Sequence, residues 1–396
     1  MDFVLKNCRL IPELSDNVSF RFANVYVKDG KIQKIESSEH EISSSENVID
    51  CNKMTLLPGL FDLHMHLHAE GSFDSPCKDD FEIMLRASRN AQKYLEYGIT
   101  TVRDVGSSNR VALTVKQAID QDILIGPRIL ASGKIIKPVE YDSVQKESSY
   151  IKGISGVEEM VKAARIEFGE EADFIKIYAS GSALQASGIP TQPIFLKEEI
   201  RAAVQVAEMK NSYVAAHCHS VEAINMCLDE GVYTIEHGTY VDEAAIEKLM
   251  KEKSYLVPTL TPLHYRKSSE RDPIHDAILK EKLAVLKEVS ATRIQNAYEA
   301  GLLLGFGTDV SINTFHLRTG MEFRMRKELC GMNNIDILLQ ATKNSAFIAG
   351  LENVTGEIKQ GLQADLILVD GNPDEKIDVM YEKPRMVFKG GVKVSS

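Results

Sequence analysis

The sequence predicts an α/β protein, a (β/α)8 TIM barrel joined to a small β-sandwich domain that both chain ends build. From about residue 54 onward, strand-like apolar runs alternate with longer amphipathic segments whose apolar residues recur at helical spacing. Such alternation is typical of successive β-α units around a parallel sheet. Eight apolar runs occur, which is the strand number of a (β/α)8 barrel. They span residues 56–66, 99–105, 128–136, 173–179, 213–219, 232–237, 255–260 and 302–309.

The two chain ends follow a different pattern from the middle of the chain. Short runs of alternating apolar and polar residues precede residue 55, and Asp29-Gly30 between two of them is a hairpin signal. Similar runs and turn-forming residues follow residue 355. The simplest arrangement pairs both ends in one domain. We therefore predict a composite β-sandwich of residues 1–55 and 355–396, and a catalytic barrel of residues 56–354.

Composition and charge narrow the classes of partner. The 396 residues carry a net charge of −11, from 46 basic and 57 acidic side chains, which disfavours nucleic acid or an anionic membrane as the main partner. A small-molecule or short-peptide substrate suits this charge better. No run approaches the roughly 18 consecutive apolar residues of a membrane span, and the first residues do not resemble a secretory leader. We expect a cytoplasmic protein with reduced cysteines, and the composition leaves homo-oligomer formation open.

A pair of histidines marks the end of the first apolar run. His64 and His66 lie two residues apart, so on a strand both side chains point to the same face. The later runs carry further polar groups near their ends: Lys176, His217, His237 and Asp309. Catalytic groups of a (β/α)8 barrel lie at the carboxyl ends of its strands, and imidazole and carboxylate groups brought together there bind zinc or a similar divalent ion. The sequence therefore predicts a buried metal site.

Lys176 is the most discriminating of these residues. In the run 173–178 it shares a strand face with Phe174 and Tyr178, while two isoleucines take the other face. If the isoleucines face the helices, the lysine faces the barrel interior. An unpaired ammonium is costly to bury there, so Lys176 must be neutralised, paired or chemically modified. A structural salt bridge to an acid inside the barrel is the alternative.

The last predicted strand contains two glycines beside its acid. Gly305 and Gly307 share a strand face with Asp309, whereas Leu304 and Phe306 take the other face. Glycine fills little volume. The pattern predicts space beside the Asp309 carboxylate for a metal and a substrate.

Five motifs follow one another along the chain in a recognisable order. They read PGLFDLHMH at 58–66, DFIKI at 173–177, AAHCH at 215–219, IEHGT at 235–239 and GTD at 307–309. Together they resemble the motifs of the amidohydrolase superfamily of metal-dependent hydrolases. The resemblance spans nearly the whole chain, because the run ADLILVD at 364–370 also resembles the closing β-sandwich strand of that family.

The resemblance implies a binuclear centre, with zinc as the expected metal. It implies that Lys176 is carbamylated by carbon dioxide, giving N6-carboxylysine, and bridges the two ions. The implied ligands of one ion are His64, His66 and Asp309, and those of the other are His217 and His237. Strand alternation alone does not exclude His219 as a ligand, and we expect it to be a substrate-binding or neighbouring group. Asp309 would take a proton from the attacking water and deliver it to the leaving amine.

Further stretches resemble the prolidase-like branch of this superfamily. They are residues 99–106, residues 126–133 and the run His237-Gly238-Thr239-Tyr240. The branch includes Xaa-Pro dipeptidases and carboxypeptidases that release C-terminal arginine or lysine. Tyr240 would then hydrogen-bond the oxyanion of the tetrahedral intermediate. A packed aromatic at a strand end is the alternative for this tyrosine.

The segment after the third predicted strand departs from the branch. Many relatives carry Gly-Gly-His there, whereas this chain reads KPVEYD at 137–142. Glu140 and Asp142 would lie over the barrel mouth, where two acids can receive a guanidinium or an ammonium. We therefore expect a dipeptidase or carboxypeptidase that releases C-terminal arginine or lysine. The candidates for binding the substrate carboxylate are Arg103, Arg266 and Arg318.

Three other functions remain open at the level of the sequence. The first is an Xaa-Pro dipeptidase. The second is a cyclic-amide hydrolase or deaminase resembling imidazolonepropionase, which uses one metal and has no bridging lysine, so Lys176 argues against it. The third is a non-catalytic metal-binding barrel, which the complete ligand set disfavours.

Overall fold

The computed structural model describes residues 2–43, 46–68, 80–141, 150–182, 190–264, 273–309 and 315–395, and its fold is mixed α/β. The strands are β1 Phe3–Arg9, β2 Phe22–Lys28, β3 Lys31–Ser37, β4 Val48–Asp50, β5 Thr55–Pro58, β6 Leu60–Met65, β7 Ile99–Asp104, β8 Arg128–Ala131, β9 Ile135–Pro138, β10 Ile151–Ile154, β11 Ile175–Tyr178, β12 Val214–Cys218, β13 Thr234–His237, β14 Tyr255–Val257, β15 Leu366–Val369, β16 Met386–Lys389 and β17 Val392–Ser395. The helices are α1 Asp80–Glu96, α2 Val111–Asp120, α3 Val157–Gly169, α4 Lys197–Glu208, α5 Val221–Asp229, α6 Glu243–Lys251, α7 Thr261–His264, α8 Pro273–Glu299, α9 Phe315–Cys330, α10 Asn334–Leu339 and α11 Ser345–Ile348.

Strands from both chain ends pair with one another. They form one eight-stranded sheet in the order β17-β16-β15-β5-β1-β2-β3, with β4 on β1, and the antiparallel pair β5 and β15 joins the two ends. The sequence predicts that the two ends pair. It predicts a sandwich of two sheets, whereas the structure has one sheet. The predicted hairpin at Asp29-Gly30 is confirmed: both residues have positive φ, 49° and 75°, as a type I′ turn requires, and β2 and β3 are antiparallel.

The middle of the chain forms two parallel sheets. One has the order β6-β7-β8 and the other β10-β9-β11-β12-β13-β14. The predicted strand 128–136 is divided into β8 and the start of β9 by a short irregular stretch. The predicted strand 302–309 is irregular, apart from an isolated parallel bridge between Leu256 and Leu304.

Backbone hydrogen bonds connect these two sheets through residues 302–309. The Gly305 N–H donates to the Leu256 carbonyl on β14 at 2.9 Å, and the Leu63 N–H on β6 donates to the Phe306 carbonyl at 2.8 Å. On the other side, the Asp173 N–H donates to the carbonyl of Ala131, the last residue of β8, at 2.8 Å. Strands that are far apart in sequence are therefore held next to one another.

Helix caps fix the turns that follow two of the central strands. The Ser220 hydroxyl accepts from the Ala223 N–H at 3.0 Å at the start of α5, directly after β12. The Asp242 carboxylate accepts from the Ala245 N–H at 2.9 Å at the start of α6, after β13. Each cap satisfies a backbone donor that the helix itself leaves unpaired. The short loops that carry the polar residues after these strands are thereby held in place.

Two further expectations concern membranes and cysteines. Among the helices that the structure describes, none combines the length and apolar character needed to cross a membrane. Five cysteines are free and buried, in agreement with a packing role: Cys8, Cys51, Cys218, Cys227 and Cys330. The sixth cysteine, Cys77, lies outside the described residues.

Gly59 divides the predicted strand 56–66 between two sheets, which corrects that prediction. Residues before it belong to β5 in the end sheet, and residues after it belong to β6 in a parallel sheet. The Gly59 N–H donates to the Asp365 carbonyl at 2.8 Å. A Cβ atom at Gly59 would lie 2.1 Å from Oγ1 of Thr100, so only glycine fits without displacement.

We expect Gly59→Ala to destabilise the protein by about 1–3 kcal/mol, because the added methyl group overpacks a buried strand contact. The measurement is the free energy of unfolding from urea titration. The matched control is Gly169→Ala at the exposed end of α3, where a Cβ meets nothing within 4 Å. This control should be neutral or stabilising by up to about 1 kcal/mol. Equal stability of both variants would contradict the role assigned to Gly59.

Candidate metal centre

His64 and His66 present the same ring atom to one point at the end of β6. The His64 Nδ1–H donates to Oε2 of Glu236 at 2.7 Å, and the His66 Nδ1–H donates to the Gly106 carbonyl at 2.7 Å. Both acceptors fix the tautomer and leave Nε2 as the ligand atom. The two Nε2 atoms lie 3.8 and 3.7 Å from Oδ1 of Asp309. These three residues therefore form one predicted ligand group, with spacing that suits a metal ion.

Asp309 is held in place by an irregular chain segment. Its backbone has φ of +48°, and its N–H donates to the His64 carbonyl at 2.7 Å. The preceding Thr308 donates from its N–H and its hydroxyl to the buried Asp62 carboxylate, at 3.0 and 2.5 Å. These contacts stabilise a left-handed conformation that is uncommon for a residue other than glycine.

The glycines beside Asp309 have another role than the sequence predicts. A Cβ atom at Gly307 would lie 2.8 Å from Cβ of His64 and 2.9 Å from Cγ1 of Val257, and one at Gly305 would lie 3.0 Å from Cγ2 of Val257. Neighbouring side chains thus occupy the volume that the glycines leave. The prediction of open space there is wrong, because the glycines allow close packing of the strands instead.

A second group of three histidines lies at the ends of β12 and β13. Nitrogen atoms of His217, His219 and His237 all lie within 4.8 Å of one another. Nδ1 of His237 bonds to the Thr259 hydroxyl at 2.6 Å, and Nδ1 of His219 bonds to the Thr239 hydroxyl at 2.7 Å. This leaves Nε2 of His219 for a ligand, whereas Nε2 of His237 faces His217.

His217 provides the sharpest test of whether a metal fits this group. Its Nδ1 lies 2.9 Å from Nε2 of His237, while its Nε2 is buried and has no hydrogen-bond partner among the residues described. A buried, unsatisfied imidazole nitrogen is costly in a purely structural site. The donor set of nitrogen atoms, with a carboxylate in the neighbouring group, suits a divalent ion such as zinc. The residues therefore fit a metal centre.

Lys176 is buried near residues of both ligand groups. Its side chain is 1% exposed, and its Nζ lies 5.9 Å from the ring centre of Tyr178. Its charge acts on His64 in one group and on His217 in the other, lowering the pKa of both. Burial lowers the pKa of Lys176 itself to about 8. The ammonium is thus destabilised at this position.

The histidines are neutral at neutral pH. Burial, with smaller contributions from nearby positive charges, lowers the pKa of His64 to about 4 and that of His219 to about 3. The pKa values of His66, His217 and His237 are also well below the ordinary value, again mainly through burial. Neutral imidazole is the form that binds a metal.

Arg103 is not placed to bind a substrate carboxylate, which corrects the sequence prediction. It is buried, and its guanidinium donates to the Leu63 carbonyl at 2.6 Å, to the Thr234 hydroxyl at 3.0 Å and to Oε1 of Glu236 at 2.6 Å. Because Glu236 in turn accepts from His64, Arg103 is connected to this candidate ligand only through the Glu236 carboxylate. Sequence reasoning missed Glu236, although an acid inside a buried strand run was a signal for it.

Of the remaining predicted substrate residues, the structure describes Tyr240 and Glu140. Tyr240 is partly buried against Leu263, Leu283 and Leu286. Glu140 is exposed in the short turn Val139–Tyr141. The structure does not describe Asp142, Arg266 or the side chain of Arg318.

Three aromatic rings that the sequence analysis missed line the same region. The His68 ring centre lies 6.0 Å from that of His66 and 5.2 Å from that of Tyr150. The Tyr178 ring stacks on His217 with centres 4.2 Å apart. Alternation was the available signal, since His68 continues the face of His66 and Tyr178 follows Lys176 by two residues.

Comparison with known proteins agrees with this geometry. Residues 55–394 match the model of the amidohydrolase family. Ochratoxinase of Aspergillus niger is 27% identical over 369 residues, covering 85% of this chain and 75% of that enzyme. Imidazolonepropionase of Picrophilus torridus is 21% identical over 427 residues, covering 99% of this chain and 98% of that enzyme. The crystal structure of a Xaa-Pro dipeptidase with methionine bound in its active site has a TM-score of 0.90 and 29% identity, with 100% of both chains covered.

The family match includes every residue of the two ligand groups. It also includes Lys176, so the motif resemblance and the spatial arrangement point to the same chemistry. The chain belongs to the amidohydrolase family, in the prolidase-like branch of the superfamily, and is a metal-dependent hydrolase that acts on C–N bonds.

Proposed function

We propose that this protein is a binuclear-metal hydrolase that cleaves the amide bond of a dipeptide or short peptide and releases the C-terminal amino acid. The observation that supports this most is a buried lysine, Lys176, close to residues of two groups of candidate ligand atoms. We further infer that the eight central segments close into a (β/α)8 barrel of residues 56–354. The hydrogen bonds from residues 302–309 to β14 and β6 support this closure.

Carbamylation of Lys176 follows from its environment. Burial favours the neutral amine, which is the form that attacks carbon dioxide. The nitrogen lone pair forms the new N–C bond, and a proton leaves to solvent. The product is an anion instead of a cation, so it would attract divalent ions to both histidine groups. We therefore assign His64, His66 and Asp309 to one ion, His217 and His237 to the other, and the Lys176 carbamate to both, with zinc as the expected metal.

The side chains around the centre then have separate roles in catalysis. When bound, the two ions supply charge that activates a water molecule and polarises the scissile carbonyl. Asp309 accepts the proton of the attacking water while the new C–O bond forms, and it returns this proton to the nitrogen as the C–N bond breaks. Tyr240, on the loop after β13, donates a hydrogen bond to the developing oxyanion. The neutral histidines stay in place because their second nitrogens are hydrogen-bonded.

We propose that the released residue is arginine or lysine. The support is the exposed Glu140 at the predicted mouth and the net charge of −11, both of which favour a cationic side chain. An Xaa-Pro dipeptidase is the second candidate, favoured by the similarity in structure to such an enzyme. A single-metal hydrolase or deaminase resembling imidazolonepropionase would not need Lys176, and a non-catalytic barrel would not need a complete ligand set.

We expect Lys176→Met to lower activity by about 100-fold or more and to reduce metal content, because the ligand shared by the ions is lost. Metal-free wild-type protein should rebind about two zinc ions per chain when bicarbonate is present and fewer without it. Elemental analysis and initial rates measure both effects. The control is Lys197→Met on the exposed first turn of α4. One ion per chain, independent of bicarbonate, would contradict the binuclear site and favour a single-metal hydrolase.

We expect Asp309→Asn to lower kcat by about 10²- to 10⁴-fold, because the amide cannot accept the proton of the attacking water. The measurement is kcat at saturating substrate, with metal content determined on the same sample. Asp122→Asn, at an exposed turn after α2, is the matched control and should leave kcat unchanged. A kcat within about threefold of wild type would assign the general base to another group.

We expect wild-type enzyme to cleave Ala-Arg and Ala-Lys with higher kcat/KM than Ala-Leu or Ala-Pro. Glu140→Gln should lower kcat/KM for the two basic dipeptides by about 2- to 5-fold, the effect typical of an exposed ion pair, and leave Ala-Leu unchanged. Glu158→Gln at the exposed start of α3 is the control. A preference for Ala-Pro would overturn the basic specificity and support the prolidase alternative.

A further inference from the structure

Helix α8 places a lysine beside the second histidine group. Leu283 and Leu286 on this helix pack with Leu263 and Tyr240, so α8 covers the loop after β13. The N–H of Tyr240 donates to the His219 carbonyl at 3.0 Å, which links this loop to the end of β12. Lys282 precedes Leu283 on this helix.

The ammonium of Lys282 lies at the ends of two central strands. Its Nζ donates to the Ser182 carbonyl at 2.8 Å, in the segment that follows β11, and β11 carries Lys176. In the same segment, the Ser180 hydroxyl accepts from the His219 N–H at 2.8 Å. A cation is therefore close to a metal-site histidine without belonging to either ligand group.

The charge and partial exposure of Lys282 suit the binding of an anion. It is partly exposed, and burial lowers its pKa to about 8, so the ammonium is incompletely solvated. An ammonium next to a carboxylate forms a charge-assisted hydrogen bond, which is stronger than one to a carbonyl.

We propose that Lys282 binds the free α-carboxylate of the amino acid that is released. This inference rests on the proposed function, and it makes the substrate class a peptide or N-acyl amino acid with an unblocked C-terminus. Arg103, the described arginine among the sequence candidates, is committed to Glu236 and does not take this role. The competing explanation is structural, namely that Lys282 only holds the segment 180–182 through the Ser182 carbonyl.

The test compares acid and amide forms of the same substrate on Lys282→Met holoenzyme. The first substrate is whichever of Ala-Arg, Ala-Lys, Ala-Leu and Ala-Pro is cleaved most rapidly. The second is the C-terminal amide of that same dipeptide. We expect KM for the free acid to rise about 10- to 100-fold, as for loss of a hydrogen bond between charged groups, with kcat changed less than about threefold. KM for the amide should stay constant. Lys282→Arg should restore part of the KM, and Lys280→Met, exposed on the same helix, should match wild type.

A binding measurement separates this inference from the proposed function. Calorimetric titration of the holoenzyme with N-acetyl-L-leucine and with N-acetyl-L-leucinamide should show a preference for the acid in wild type that Lys282→Met removes. If wild type binds the acid but cleaves no peptide, the proposed function fails while the carboxylate site stands. The role of Lys282 is overturned if Lys282→Met loses equal affinity for the acid and the amide, or loses affinity for neither. It is also overturned if the wild type binds neither compound. Lys282→Gln and the thermal unfolding midpoint of each variant control for folding.

Discussion

The buried carboxylate of Glu236 is the group on which the arrangement of the metal centre depends. It accepts hydrogen bonds from Arg103 at 2.6 Å, from His64 at 2.7 Å and from Thr234 at 2.6 Å, which joins β6, β7 and β13. Burial alone would raise its pKa, but Arg103 and then His64 lower the pKa of Glu236 to about 2. The carboxylate is therefore ionised and fixes the tautomer of His64. Without the guanidinium it would be an unpaired charge in the protein interior, which is strongly destabilising.

Two of the candidate ligand residues have strained backbone conformations. His237 and Asp309 both have positive φ, +68° and +48°, although neither is a glycine. Hydrogen bonds to neighbouring strands hold each conformation in place. The Gly238 N–H donates to the Cys218 carbonyl at 3.1 Å, and the Asp309 N–H donates to the His64 carbonyl at 2.7 Å. Such conformations cost about 1–3 kcal/mol each and persist where the surrounding structure enforces them. The surrounding strands therefore hold His237 and Asp309 in conformations that direct their side chains toward the candidate metal centre.

The apolar runs of the central region could be predicted because strand and helix periodicities are local properties of the sequence. The pairing of both ends followed from their shared alternation. The division of the run 56–66 at Gly59 could not be predicted, since it depends on Thr100 approaching from another strand and on a hydrogen bond to Asp365. Likewise, residues 302–309 read as a strand, but Asp309 and its neighbours adopt irregular backbone where they meet β6.

The sequence by itself determined which residue types form the metal centre, because alternation and motif order identify His64 and Lys176 without any knowledge of distance. The tertiary structure decided what surrounds them. It assigned Arg103 to Glu236 instead of a substrate, and it brought Lys282 from a helix to the ends of two strands. These partners are separated by about a hundred residues or more, and periodicity reports only which face a side chain takes. Contacts between elements depend on how the strands and helices pack, which local sequence does not encode.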